Sequence, residues 1–117
     1  MEIRQLTDQI SVAPQITAAD VAAIKDAGFQ AIICHRPNGE GADQPAFEEI
    51  EKAAKSAGLV AAYLPVEAGN ICEQDVIDLS TTLDDLPRPI LGYCRSGARV
   101  AMLWSLHQDH QLAKSET

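Results

Sequence analysis

Three short apolar runs, at residues 29–34, 59–64 and 90–93, alternate along the chain with segments whose apolar residues recur at helical spacing. The runs are apolar through their centres, as in parallel strands covered on both faces. Parallel strands need crossovers, and helices supply them. The alternation therefore predicts an α/β fold of three layers, with a central parallel sheet of about four to five strands and helices on both faces. At 117 residues and 46% hydrophobic content the chain reads as one domain, 1–117, in which the polar stretch 110–117 is expected to fray.

Local signals set the remaining elements. Ile3, Leu6, Ile10 and Val12, closed by Pro14, predict one or two short edge strands. Thr17 to Asp20 forms a capping-box pattern ahead of a helix carrying Val21 and Ile24 and stopped at Gly28. A loop at 35–43 precedes a second helix that starts near Pro45, buries Phe47, Ile50, Ala54 and Ala57, and exposes Glu48, Glu49, Glu51, Lys52 and Lys55. The stretch 71–76 echoes 16–21 and opens a third helix with Val76, Ile77, Leu79, Leu83 and Leu86 on its apolar face. The last helix is expected from about Ala98 to near Gln108, with Trp104 in the core and His107 and His110 on its surface or frayed end.

The junction at 90–104 carries the chemistry. An apolar run ends at Cys94, a loop holds Arg95, Ser96, Gly97 and Arg99, and a periodic apolar segment follows at once. Helix N-termini offer unpaired amides to anions, and cysteine is nucleophilic as the thiolate such surroundings favour. Cys94 is the expected nucleophile. Sites in such sheets lie beyond the carboxyl ends of the strands, where loops 35–43, 66–70 and 94–99 converge. His35 is expected to cap its loop, Cys34 to be a small buried hydrophobe or else a resolving thiol, and Cys72 to open the third helix.

A net charge of −8 argues against nucleic acid and anionic membranes as partners. The absence of an apolar run near the ~20 residues of a membrane span, and of signal-peptide order at the N-terminus, predicts a cytoplasmic protein. Three irregularly spaced cysteines predict reduced thiols without a disulfide framework, and neither a metal nor another cofactor is expected.

Ile10-Ser11-Val12, Gln15-Ile16-Thr17, Arg36-Pro37-Asn38-Gly39-Glu40, Gln44-Pro45, Ala57-Gly58-Leu59, Leu64-Pro65-Val66 and Tyr93-Cys94-Arg95-Ser96-Gly97 occur in one order over residues 9–106. In this the chain resembles the phosphatase-like domain of the beta-lactamase-hydrolase-like proteins. The resemblance implies a phosphatase-like or rhodanese-like fold, and two chemistries: phosphoryl transfer through a cysteinyl phosphate, or sulfur transfer through a persulfide alongside a persulfide dioxygenase or other sulfide-handling partner. Cys94 to Arg99 spans five positions, as in rhodanese-like loops, where tyrosine phosphatases have six. Ala68 stands where dual-specificity phosphatases carry an acid, with Glu67 beside it, and Val100 where phosphatases carry a hydroxyl. These departures favour a sulfurtransferase moving sulfane sulfur from thiosulfate or a small persulfide through Cys94 to a thiol or cyanide. The alternative is a phosphatase taking a phosphate ester, and a persulfide carrier or redox sensor is the non-enzyme reading. In either enzyme Cys94 and Arg99 are the expected catalytic residues. Arg95, Ser96, Gly97 and Ala98, with Arg36 from the neighbouring loop, are expected to bind the anionic donor or ester; the alternative for Arg36 is a structural pairing with Glu40 or Asp43.

Overall fold

The computed structural model describes residues 2–115, with side chains through Leu112. Five strands, β1 (Arg4–Gln5), β2 (Ile10–Ala13), β3 (Ala31–Cys34), β4 (Val60–Tyr63) and β5 (Ile90–Tyr93), form one sheet in the order β1-β2-β5-β3-β4. Four helices, α1 (Val21–Asp26, entered through a 3-10 turn), α2 (Phe47–Ala57), α3 (Glu73–Asp85) and α4 (Ala98–Ser115), cover it. The α/β reading holds, with one amendment: β1 runs antiparallel to β2, so the sheet is mixed, while β2, β5, β3 and β4 are parallel. Residues 10–13 are accordingly an interior strand and not an edge, and all four are buried.

Alternation along the strands divides the core. Ile32, Cys34, Leu91 and Tyr93 face Val21, Ile24, Phe47 and Ile50 of α1 and α2. Ala31, Ile33 and Ile90 face Val76, Leu79 and Leu83 of α3 and Leu103 and Trp104 of α4. Each fully buried large aliphatic side chain contributes about 1.5–3 kcal/mol, so the two faces together hold the three layers. Both predicted capping patterns form: the Thr17 and Cys72 amides each donate to a carboxylate three residues on, Asp20 and Asp75, at 2.9 Å.

Two features of α4 differ from expectation. It continues to Ser115, because 99–115 holds neither Gly nor Pro and the Gln111 side chain donates to Ser80 Oγ of α3 at 3.2 Å. His107, expected on the surface, is buried and stacked on Trp104 with ring centroids 5.1 Å apart, and burial pushes its pKa down. Among the described residues no helix is long and apolar enough to cross a membrane.

The register matters most for the site. Ala13, Tyr93, Cys34 and Tyr63 lie side by side, so the four parallel strands end flush and release their loops at one edge. Gly92 brings α4 down on β5 there: a Cβ at that position would stand 2.9 Å from Val100 Cγ1.

Candidate active site

Cys94 lies one residue past β5, buried, with its amide 3.4 Å from Ala13 O. The chain then reverses through Gly97, whose φ of +93° suits a residue without a Cβ. That turn aims the Gly97 amide back at Cys94 Sγ, to which it donates at 3.1 Å. Ser96 Oγ accepts from the Ala98 amide at 3.3 Å, closing the first turn of α4. The sulfur therefore sits at a helix N-terminus with a backbone donor already on it, an arrangement that stabilises negative charge.

Arg99 reaches across the loop from the first turn of α4. Its Nη1 donates to Val66 O at 2.8 Å and to Glu40 Oε2 at 3.0 Å, and its Nη2 to Glu40 Oε1 at 2.9 Å. Its Nε is buried without a partner. Glu40 Oε1 also accepts from Arg36 Nε at 3.0 Å, and Arg36 Nη1 donates to Gln15 Oε1 at 3.0 Å. Arg99, with Arg36 behind it, holds the Glu40 carboxyl below the usual carboxylate range.

A cavity of about 750 Å³ opens over Cys94, walled by Asn38, Gly39 and Glu40, by Glu67, Ala68, Gly69 and Ile71, and by Arg95, Ser96, Ala98, Arg99 and Met102. The three loops expected to converge do so.

Residues 2–111 match the family model described as "Beta-lactamase hydrolase-like protein, phosphatase-like domain". The chain belongs to this family. A beta-lactamase hydrolase-like protein of Agrobacterium fabrum is 27% identical over 118 residues, covering 99% of this chain and 27% of the relative. The phosphatase-like domain thus spans about a quarter of that curated relative's length. A structure solved as a candidate phosphatase from Neisseria meningitidis superposes with a TM-score of 0.85 at 34% identity, covering 92% of this chain and 77% of the other. Another, from Shewanella putrefaciens, gives 0.80 at 23% identity, covering 93% and 68%. These names favour the phosphatase chemistry over the sulfur transfer that loop length suggested.

Within the phosphatase-like domain the expected site residues divide. Cys94, Arg95, Ser96, Ala98 and Arg99 wall the cavity, and Gly97 serves it through its amide. Arg36 does not wall it. Its guanidinium is engaged by Glu40 and Gln15, and it stands behind the carboxylate rather than beside Cys94. The pairing of Arg36 with Glu40, the alternative the sequence offered for that arginine, is the one that forms, and Glu40 walls the cavity in its place.

Cys34 and Cys94 pack with different neighbours. The Cys34 side chain belongs to the α1–α2 face, while Cys94 packs with Val12 and Val100 on the other. The Cys34 thiol donates to Arg36 O at 3.3 Å, and burial pushes its pKa up. His35 is more than a loop cap: it is buried, with Nδ1 2.9 Å from Leu64 O, and burial lowers its pKa to about 4. Held neutral, it ties the 35–43 loop to the chain leaving β4. The Cys72 thiol donates to Asp75 Oδ2 at 3.4 Å.

Proposed function

We propose that this domain hydrolyses phosphate monoesters through a cysteinyl phosphate on Cys94. The observation that carries the reading is the Gly97 amide on Cys94 Sγ at 3.1 Å, at the N-terminus of α4, with the guanidinium of Arg99 tied to Val66 O and Glu40 of the two neighbouring loops. An ester phosphate entering the cavity meets Arg95 and the helix N-terminus, with Arg99 in the wall beside them. Cys94 thiolate attacks phosphorus, the S–P bond forms, and the P–O bond to the leaving group breaks. The departing oxygen needs a proton. Glu67 is the carboxyl on the cavity wall next to Ala68, and it supplies that proton. Water then attacks phosphorus, the S–P bond breaks, Glu67 takes up the proton, and orthophosphate leaves with the thiolate restored.

Val100 is buried against Gly92 and puts no hydroxyl beside the sulfur, so the second step is the slower one. The intermediate accumulates. Sulfur transfer would use the same nucleophile and the same loop, and its support is the five-position spacing and the missing acid at Ala68.

Intact mass after mixing with p-nitrophenyl phosphate decides between them. An adduct of one HPO₃ unit on the wild type, absent from Cys94→Ser, with a burst of p-nitrophenol ahead of slow turnover, is the expected result. An adduct of one sulfur atom from thiosulfate, with no phosphate adduct and no p-nitrophenol released, would replace this reading by sulfur transfer.

A further inference from the structure

The cavity over Cys94 is far larger than an inorganic anion requires. At about 750 Å³ it falls in the ~300–1,000 Å³ range of sites for whole organic ligands. Its charges run against a polyanion. Of the two arginines on the wall, Arg99 is bound through both Nη atoms to Glu40, and Glu67 adds a second carboxylate. One phosphate satisfies what cation remains, and further phosphates would face Glu40 and Glu67 on a chain of net charge −8.

Away from the loop the lining turns apolar and keeps one direction. Ala98, Met102 and Leu106 follow one another at intervals of four along α4, and so share a face of the helix. All three are exposed, Met102 at 59% and Leu106 at 40%. Ile71 walls the Cys94 cavity and also an adjoining depression of about 320 Å³, whose wall combines Val76 and Leu106 with Cys72, Glu73 and His110. The two depressions meet at Ile71, and the α4 face that borders them, from Ala98 to Leu106, runs about 12 Å from the anion loop at 1.5 Å per residue. An aromatic ring would occupy only its first part.

We infer that this site takes monophosphate esters whose other end is an unbranched apolar chain, laid along Ala98, Met102 and Leu106 opposite Ile71 and Val76. The inference rests on the phosphatase reading for the anion end. A ligand held by its phosphate at Cys94 has this apolar wall as its continuation. The surface is therefore a specificity element of the same site, which selects chain length and rejects polyphosphates.

Binding tests it without any reaction, because phosphonates keep a P–C bond. Methyl-, butyl- and octylphosphonate are titrated by calorimetry into the wild type and into Leu106→Glu, whose fold is checked by circular dichroism. A fully buried methylene is worth about fourfold in affinity, and one against an open wall about twofold, so Kd falls roughly hundredfold from methyl to octyl in the wild type. Leu106→Glu flattens the series. A flat series in the wild type, or pyrophosphate binding more tightly than octylphosphonate, overturns the inference. So does a wild-type dimer that Leu106→Glu dissociates, since this face would then be an interface between copies. If phenyl phosphate is not hydrolysed while the chain-length dependence persists, the reaction is wrong and the ligand class stands.

Discussion

Glu40 sets a carboxylate against the arginines in the wall of the Cys94 cavity. It takes both Nη atoms of Arg99, a residue 59 positions away, and leaves Nε as that arginine's unpartnered donor. The motif containing it was visible in the sequence, but its choice between Arg36 four residues on one side and Arg99 across the fold was not, because only the folded chain sets the second distance. Ala68 is the opposite case, legible as a gap from the sequence and exposed on the cavity wall. A carboxylate restored there should matter only where the leaving group needs a proton. Ala68→Asp is expected to raise kcat/KM for an alkyl phosphate by about 10²-fold and to leave p-nitrophenyl phosphate nearly unchanged, general-acid catalysis being worth about 10²–10⁴. An unchanged kcat/KM for the alkyl phosphate would show that Glu67 already supplies the proton fully.

Among the elements, the turn into α4 is the most demanding. Gly97 combines a φ of +93° with a space in which a Cβ would stand 3.0 Å from Val12 Cγ2. Gly97→Ala is expected to cost about 1–3 kcal/mol and to turn the amide off Cys94 Sγ. Thermal denaturation should show a lower Tm, and the phosphate adduct should form more slowly than the stability loss alone explains at a temperature where the variant is folded. An unchanged rate of adduct formation would mean that the amide contributes nothing. Helix starts were readable because caps are local: Thr17 with Asp20 and Cys72 with Asp75 close within three residues. The end of α4 was not, since what extends the helix past Gln108 includes a contact from Gln111 to Ser80, 31 residues away.

For the molecule as a whole, acid should weaken the fold through its buried histidines. His35 titrates at about 4 in the folded chain against about 6.5 when unfolded, so between those values the unfolded state binds the extra proton. Stability from this group is complete above about pH 6.5 and is lost as pH falls toward 4, at up to about 1.4 kcal/mol per pH unit. His107, also lowered by burial, acts in the same direction. Urea midpoints measured from pH 7 to 4.5 should fall in the wild type and fall less steeply in His35→Gln; parallel slopes would mean that His35 is protonated in the folded state. The order of the helices and strands, the cysteine loop and the anion-holding helix start were determined by the sequence alone. Periodicity, caps and glycines act over a few residues, so they can be read in a line. The strand order β1-β2-β5-β3-β4, the pairing of Glu40 with Arg99, the withdrawal of Arg36, the opposite facing of Cys34 and Cys94 and the burial of His107 were decided by tertiary structure. Each of these depends on which distant segments the packed sheet brings together, and no local pattern carries that information.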